Sequence, residues 1–212
     1  GKDVPKKALG GTLKLDSLDS DDQRDLELFS EMVGFPLKDM DLFNLEEVLE
    51  YALELKNIRD NLLPAMPTAE LQEAVERFLN IHNTCTLSTS FQERVRSTPI
   101  EYTYHQGHLY LLSEGGEKFA NLLRNNQVSV AVYEDYTTMN NLAGMQISGE
   151  ASLVETEDEY QDIISMKGLN VNMIRNLPFN MNIIKIKVNR VEFLYSEFAR
   201  KGYGTKQILN FQ

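Results

Sequence analysis

The chain has little of what builds the simplest redox and metal sites. Its 212 residues contain a single cysteine, Cys85, so no intramolecular disulfide forms and no Cys-rich metal centre is available. The three histidines, His82, His105 and His108, lack zinc-ligand spacing, so no metal site is expected. No apolar run approaches the ~18 residues of a membrane span, and no basic–apolar–small leader is read at the start. One thiol suits a reducing compartment such as the cytoplasm. Positive charge is scarce too: 21 Lys+Arg stand against 32 Asp+Glu, a net charge of −11. Such a surface repels phosphodiesters, which argues against DNA or RNA as a partner.

What is present fits an ordinary globular protein, with 42% hydrophobic and 25% charged residues. The length supports one good core and a small second unit. The negative charge is concentrated early. Residues 16–60 hold fourteen acidic and four basic side chains, a net −10. This block reads as a solvated helical surface, with a docking face for a basic partner as the functional alternative.

The first third carries helical signals. Ser20 with Gln23 forms a capping box, Leu26, Phe29 and Val33 share a face, and Gly34 supplies a stop. Asn44 with Glu47 forms a second box ahead of a stripe of Leu45, Val48, Leu49, Ala52 and Leu53. Leu63-Pro64-Ala65-Met66-Pro67 breaks the pattern and divides the chain into an acidic helical region, 1–67, and a second domain, 68–212. A third helix follows, with Leu71, Val75, Phe78 and Leu79 on one face. From about residue 84 the period changes to two. Six strands are expected: Thr84–Thr89, Val95–Tyr104, Leu109–Leu112, Gln127–Tyr133, Leu142–Val154 and a last one from Ile184. In that last strand Ile184, Ile186 and Val188 alternate in one phase and Val191 and Phe193 in the other, which predicts a bulge near Asn189-Arg190. His105-Gln106-Gly107 reads as a hairpin turn, and Thr156 with Glu159 caps a helix that Gly168 ends. The fold class is therefore mainly β, α+β overall: a small six-stranded antiparallel barrel with flanking helices and an N-terminal helical extension.

The richest stretch is RVRSTPIEYTYHQGHLYLLSEGGEKFANL, residues 94–122. Ser113-Glu114-Gly115-Gly116-Glu117-Lys118 follows a strand and opens a helix. Backbone N–H groups at a helix start, with Lys118 beside them, make an anion pocket. On the preceding strand Arg94, Arg96 and Thr98 share one face by alternation, and Ser97 and Thr98 can donate to the carbonyls of a flat heterocycle. These features point to a phosphate-bearing cofactor lying against two strands. No nucleophile–base pair stands out, so no catalytic side chain is assigned.

The series LQEAVERFL, TCTLSTS, RVRSTPIEY, GHLYLLSEGGEKFANLLRNNQVSVAVYE, GMQISGEASLVE and IIKIKVNRVEFL resembles, in the expected order, the FMN-binding split-barrel family that includes pyridoxamine 5′-phosphate oxidase. The resemblance spans residues 71–212. It implies a homodimer of split barrels with two FMN sites at the subunit interface. It also implies an oxidoreductase acting on an unidentified small substrate, or alternatively a non-catalytic module that binds or sequesters a flavin or haem. Carried over, Arg96, Ser97 and Thr98 would contact the flavin ring and its phosphate tail, and Leu112 and Ser113 would line the ring. Lys118 would hold the phosphate, and Gln146 would reach the site from near the dimer seam. The oxidase itself carries Ser-Arg-Lys at the phosphate, where this chain has Gly116, Glu117 and Lys118. It also closes with an Arg-x-His element, where this chain reads GYGTKQILNFQ. The resemblance is thus to a relative of the oxidase, not to the oxidase itself.

Overall fold

Alternation of apolar and polar residues from Thr84 onward becomes a set of antiparallel strands, and the 3.6-residue stripes before it become helices. A computed structural model describes residues 20–33, 44–61 and 64–211. The chain divides into two compact units, residues 1–65 and 66–212.

The first unit contains α1 (Ser20–Val33) and α2 (Leu45–Asn61). Asn44 caps α2: its side chain accepts from the Glu46 amide at 3.2 Å and donates to the Glu47 carboxylate at 2.9 Å, satisfying one of the orphan N–H groups of the first turn. The half-buried stripe is Val48, Tyr51, Leu55 and Ile58, whereas Leu45, Leu49 and Leu53 of the expected stripe are exposed. The side chains of the Ser20–Gln23 box, and Gly34, lie outside the described residues.

The second unit opens with α3 (Thr68–Ile81), which buries Leu71, Ala74, Val75, Phe78 and Leu79. Its sheet comprises β1 (Thr84–Phe91), β2 (Arg94–Glu101), β3 (Thr103–His105), β4 (His108–Ser113), β5 (Gln127–Tyr133), β6 (Ala143–Leu153), β7 (Asn182–Tyr195) and β8 (Lys206–Asn210). The strand order is β2-β1-β5-β6-β7-β4-β3, with β8 also on β7. Every pairing is antiparallel. The sheet curls so that its first strand, β2, comes against β4, giving a split barrel.

Eight strands replace the expected six for two local reasons. Buried Tyr102, whose hydroxyl donates to the Leu79 carbonyl at 2.9 Å, interrupts the run Val95–Tyr104 and separates β2 from β3. The second addition, β8, pairs with the C-terminal half of β7. Its Gln207 is buried, donating to the Gly204 carbonyl and accepting from the Met66 amide. The expected bulge is present: Ser148 pairs with Arg190 and Gly149 with Val188, leaving Asn189 over. That slip returns Val191 and Phe193 to the core already holding Ile184, Ile186 and Val188.

Helix α5 (Glu157–Met166) covers the other face of β7, where Ile163 and Ile164 pack with Ile183 and Tyr110. The Thr156 side chain makes no capping bond, in contrast to the expected box. The far end is a Schellman turn around Gly168, with the Leu169 amide donating to the Ile164 carbonyl. Lys167, its side chain only 3% exposed, donates to Glu101 at 2.8 Å and to Thr103 at 2.9 Å, pinning α5 to the β2–β3 corner.

Candidate functional site

The seam where β2 meets β4 opens into a cleft of ≈550 Å³, within the roughly 300–1,000 Å³ range of small-molecule sites. Three stretches of chain build it. From β2 come Thr98, Pro99 and Ile100; from β4 and the loop after it come Leu112, Ser113, Gly115, Gly116 and Lys118; from the segment before β7 come Leu177, Phe179 and Met181.

Each wall has a local cause. Gly115 (φ 144°) and Gly116 (φ 102°) take backbone conformations that L side chains rarely adopt, so the loop turns sharply between β4 and α4 (Glu117–Leu122). The helix itself is only six residues long, and its place is set by packing. Asn121 is buried and donates to the Thr89 hydroxyl of β1 at 3.1 Å, while Phe119 and Leu122 pack on the barrel core. Lys118 is thereby held against the loop, and its ammonium donates to the Gly115 carbonyl. Burial lowers the lysine below its ordinary range; Glu114 opposes that shift and Arg96 adds to it. Ser113 is buried, with its hydroxyl 3.5 Å from the Gly115 amide and carbonyl.

Of the seven residues singled out in the sequence, Thr98, Leu112, Ser113 and Lys118 line this one cleft. Arg96 does not line the cleft: it is exposed on β2, two residues before Thr98, with its guanidinium 3.6 Å from the Glu117 carboxylate. Ser97 lies on the opposite face of β2, where its hydroxyl is 3.1 Å from that of Ser88. Gln146 is exposed on β6 and lines a separate depression with Ala131, Tyr133, Gly144, Glu192, Leu194 and Lys206. Sequence reasoning did not single out Leu177, Phe179 and Met181. Their signal was legible: three apolar residues at a spacing of two, around polar or proline neighbours.

The cleft joins an apolar floor and wall to a polar end with the Thr98 and Ser113 hydroxyls, the Lys118 ammonium and the Glu114 carboxylate. It can hold a flat ring by its faces and an anionic tail by its end. Among the described residues no cluster of His, Cys, Asp or Glu could hold a metal ion.

A family model described as pyridoxamine 5′-phosphate oxidase matches residues 71–195, more than half of the chain, and the chain belongs to that family. No curated protein matches it. Among solved structures, Campylobacter jejuni ChuZ shares 15% identity over 82% of this chain and 70% of its own, with a TM-score of 0.53. General Stress Protein 26 from Bacillus anthracis shares 18% identity over 66% of this chain and 98% of its own, at a TM-score of 0.48. HutZ, the heme storage protein from Vibrio cholerae, shares 19% identity over 56% of this chain and 90% of its own, at a TM-score of 0.48. The likeness to ChuZ is one of fold.

Proposed function

We propose that the chain is a flavoprotein that takes FMN in the Lys118 cleft and works as an oxidoreductase on a small substrate. The observation that carries this reading is the convergence of Thr98, Leu112, Ser113 and Lys118, from separate segments, on one cleft with apolar walls. The residues fit the group. Pro99, Ile100, Leu112, Phe179 and Met181 offer faces for a ring, and the Thr98 and Ser113 hydroxyls offer bonds to its polar edge. Lys118 would hold the phosphate as a point charge. A bound flavin would supply the electron-transfer chemistry. The protein would orient the ring and keep water from its faces.

Two such clefts would serve a homodimer. Gln146 shares the outer face of the sheet with Tyr133 and Leu194, which are 60% and 40% exposed. A two-fold contact there would cover both apolar side chains and let Gln146 reach the partner's cleft. The buried, free Cys85 suits a cytoplasmic setting. Among the described residues no helix is long and apolar enough to cross a membrane.

A second reading has its own observation. Glu114 lies in the cleft wall, and Glu117 engages Arg96, so the polar end is close to neutral. That suits a module that binds or sequesters a flavin or haem without turnover.

The test is the visible spectrum of the purified protein, with FMN titration of the apo form. Bound flavin is expected, and Lys118→Met is expected to weaken FMN about tenfold. A colourless protein that takes up no FMN would refute the reading. Steady-state turnover of NADH or NADPH with a generic acceptor separates enzyme from storage module.

A further inference from the structure

The polar end of the cleft carries its own anion, Glu114, together with Lys118. Outside the lining, Arg96, which shares a face of β2 with Thr98 and whose charge reaches Lys118, stands with the carboxylate of Glu117, the residue before Lys118. Arg96 Nη1 is 3.6 Å from Glu117 Oε2. The Lys118 ammonium is turned onto the Gly115 carbonyl and feels the Glu114 charge. A phosphate arriving here meets no surplus of positive charge, because a carboxylate holds the guanidinium that would grip it. The apolar walls from β2, β4 and the segment Leu177–Met181 are unaffected by that pairing.

We infer that Glu117 is a built-in competitor for the ligand's anionic tail: by occupying Arg96 it makes the cleft select a flat ring and discriminate little for a terminal phosphate. The inference rests on the flavin reading above and names the residue that sets its specificity. Arg96 and Glu117 are 58% and 45% exposed, and a half-exposed pair contributes little to stability. Its role is therefore one of ligand choice. When a phosphate displaces Glu117 from Arg96, the freed carboxylate stays close by and repels the newcomer. A ribityl chain without phosphate meets no such repulsion and can still bond to the Ser113 and Thr98 hydroxyls.

Riboflavin and FMN, titrated into the purified full-length chain and followed by quenching of flavin fluorescence, test this directly. In the wild type the two dissociation constants are expected to agree within about threefold, the near-cancellation of opposed charges. Glu117→Gln is expected to tighten FMN about tenfold and to move riboflavin less than about twofold. Adding Arg96→Ala to Glu117→Gln is expected to remove most of that gain, since the gain comes from freeing the guanidinium. Thermal melts check that each exposed-site variant folds. A wild type preferring FMN about a hundredfold or more, or a Glu117→Gln gain that persists without Arg96, overturns the inference and leaves the flavin reading standing. Binding of neither flavin overturns that reading and this inference with it.

Discussion

Gly149 sits where β6 crosses the bulge of β7, and there is no room for a methyl group. A Cβ would stand 2.5 Å from the Lys187 carbonyl oxygen and 2.9 Å from Ile186 Cγ2. The first contact is backbone in a central strand, so it does not yield cheaply. Gly149→Ala is expected to cost about 2–4 kcal/mol, seen as a lower urea midpoint with unchanged slope. Cys85 gives a pH signature. Burial, and then the Glu101 charge, push its thiol from the ordinary 9.0 up to about 12, with Lys167 opposing. The folded state holds the proton where the unfolded state releases it. Stability from this group is therefore complete below pH 9 and is lost as pH rises towards 12. Chemical denaturation across that window is expected to show the decline, to which Tyr102, whose hydroxyl burial also keeps protonated, contributes above pH 10.0, and Cys85→Ala is expected to make the decline shallower. In the native state the thiol is expected to be silent to a disulfide reagent at about pH 8, reacting only on unfolding.

At the scale of elements, the β3–β4 hairpin turns through Gln106 (φ 46°) and Gly107 (φ 76°). Two left-handed residues in a two-residue turn match the twist of the strands, but glutamine tolerates that region poorly. Gln106→Asn is expected to raise stability by about 0.5 kcal/mol, measured as a higher melting temperature. Several elements were legible for reasons internal to them. The face of α3, the β7 bulge and the Gly168 stop each follow from periodicity or from one residue's backbone preference. Other features were not. In β8 a buried polar residue, Gln207, sits where alternation would demand an apolar one; its place depends on the Met66 amide, far away in sequence. In α2 two leucine-bearing stripes compete, and the half-buried one runs through Val48, Tyr51, Leu55 and Ile58. Period alone does not choose between adjacent stripes.

The division between residues 65 and 66 carries its own expectation at the scale of the whole molecule. The second unit has a continuous core from α3 through β8, so a chain beginning at Met66 is expected to unfold in one cooperative thermal transition. Loss of that transition would mean the acidic helices complete the core. Light scattering at micromolar concentration is expected to report twice the 24.3 kDa chain mass, and Gln146→Glu with Leu194→Lys to shift it towards the monomer by placing charge on the outer sheet face. A monomeric wild type would remove the two-fold arrangement from the proposal.

The class of fold, the run of strands after residue 84 and the glycine loop ahead of Lys118 were determined by the sequence itself, because each is a property of one element: a period, a turn residue, a cap. The cleft is not such a property. It exists because a curled sheet brings β2 against β4 and lays Leu177–Met181 beside them, so only the tertiary structure decided that Thr98 and Lys118 share a site while Ser97 turns to Ser88. The same holds for Arg96. Its charge is written in the chain, but whether that charge is available to a ligand depends on a carboxylate 3.6 Å away, and electrostatic interaction follows distance in space.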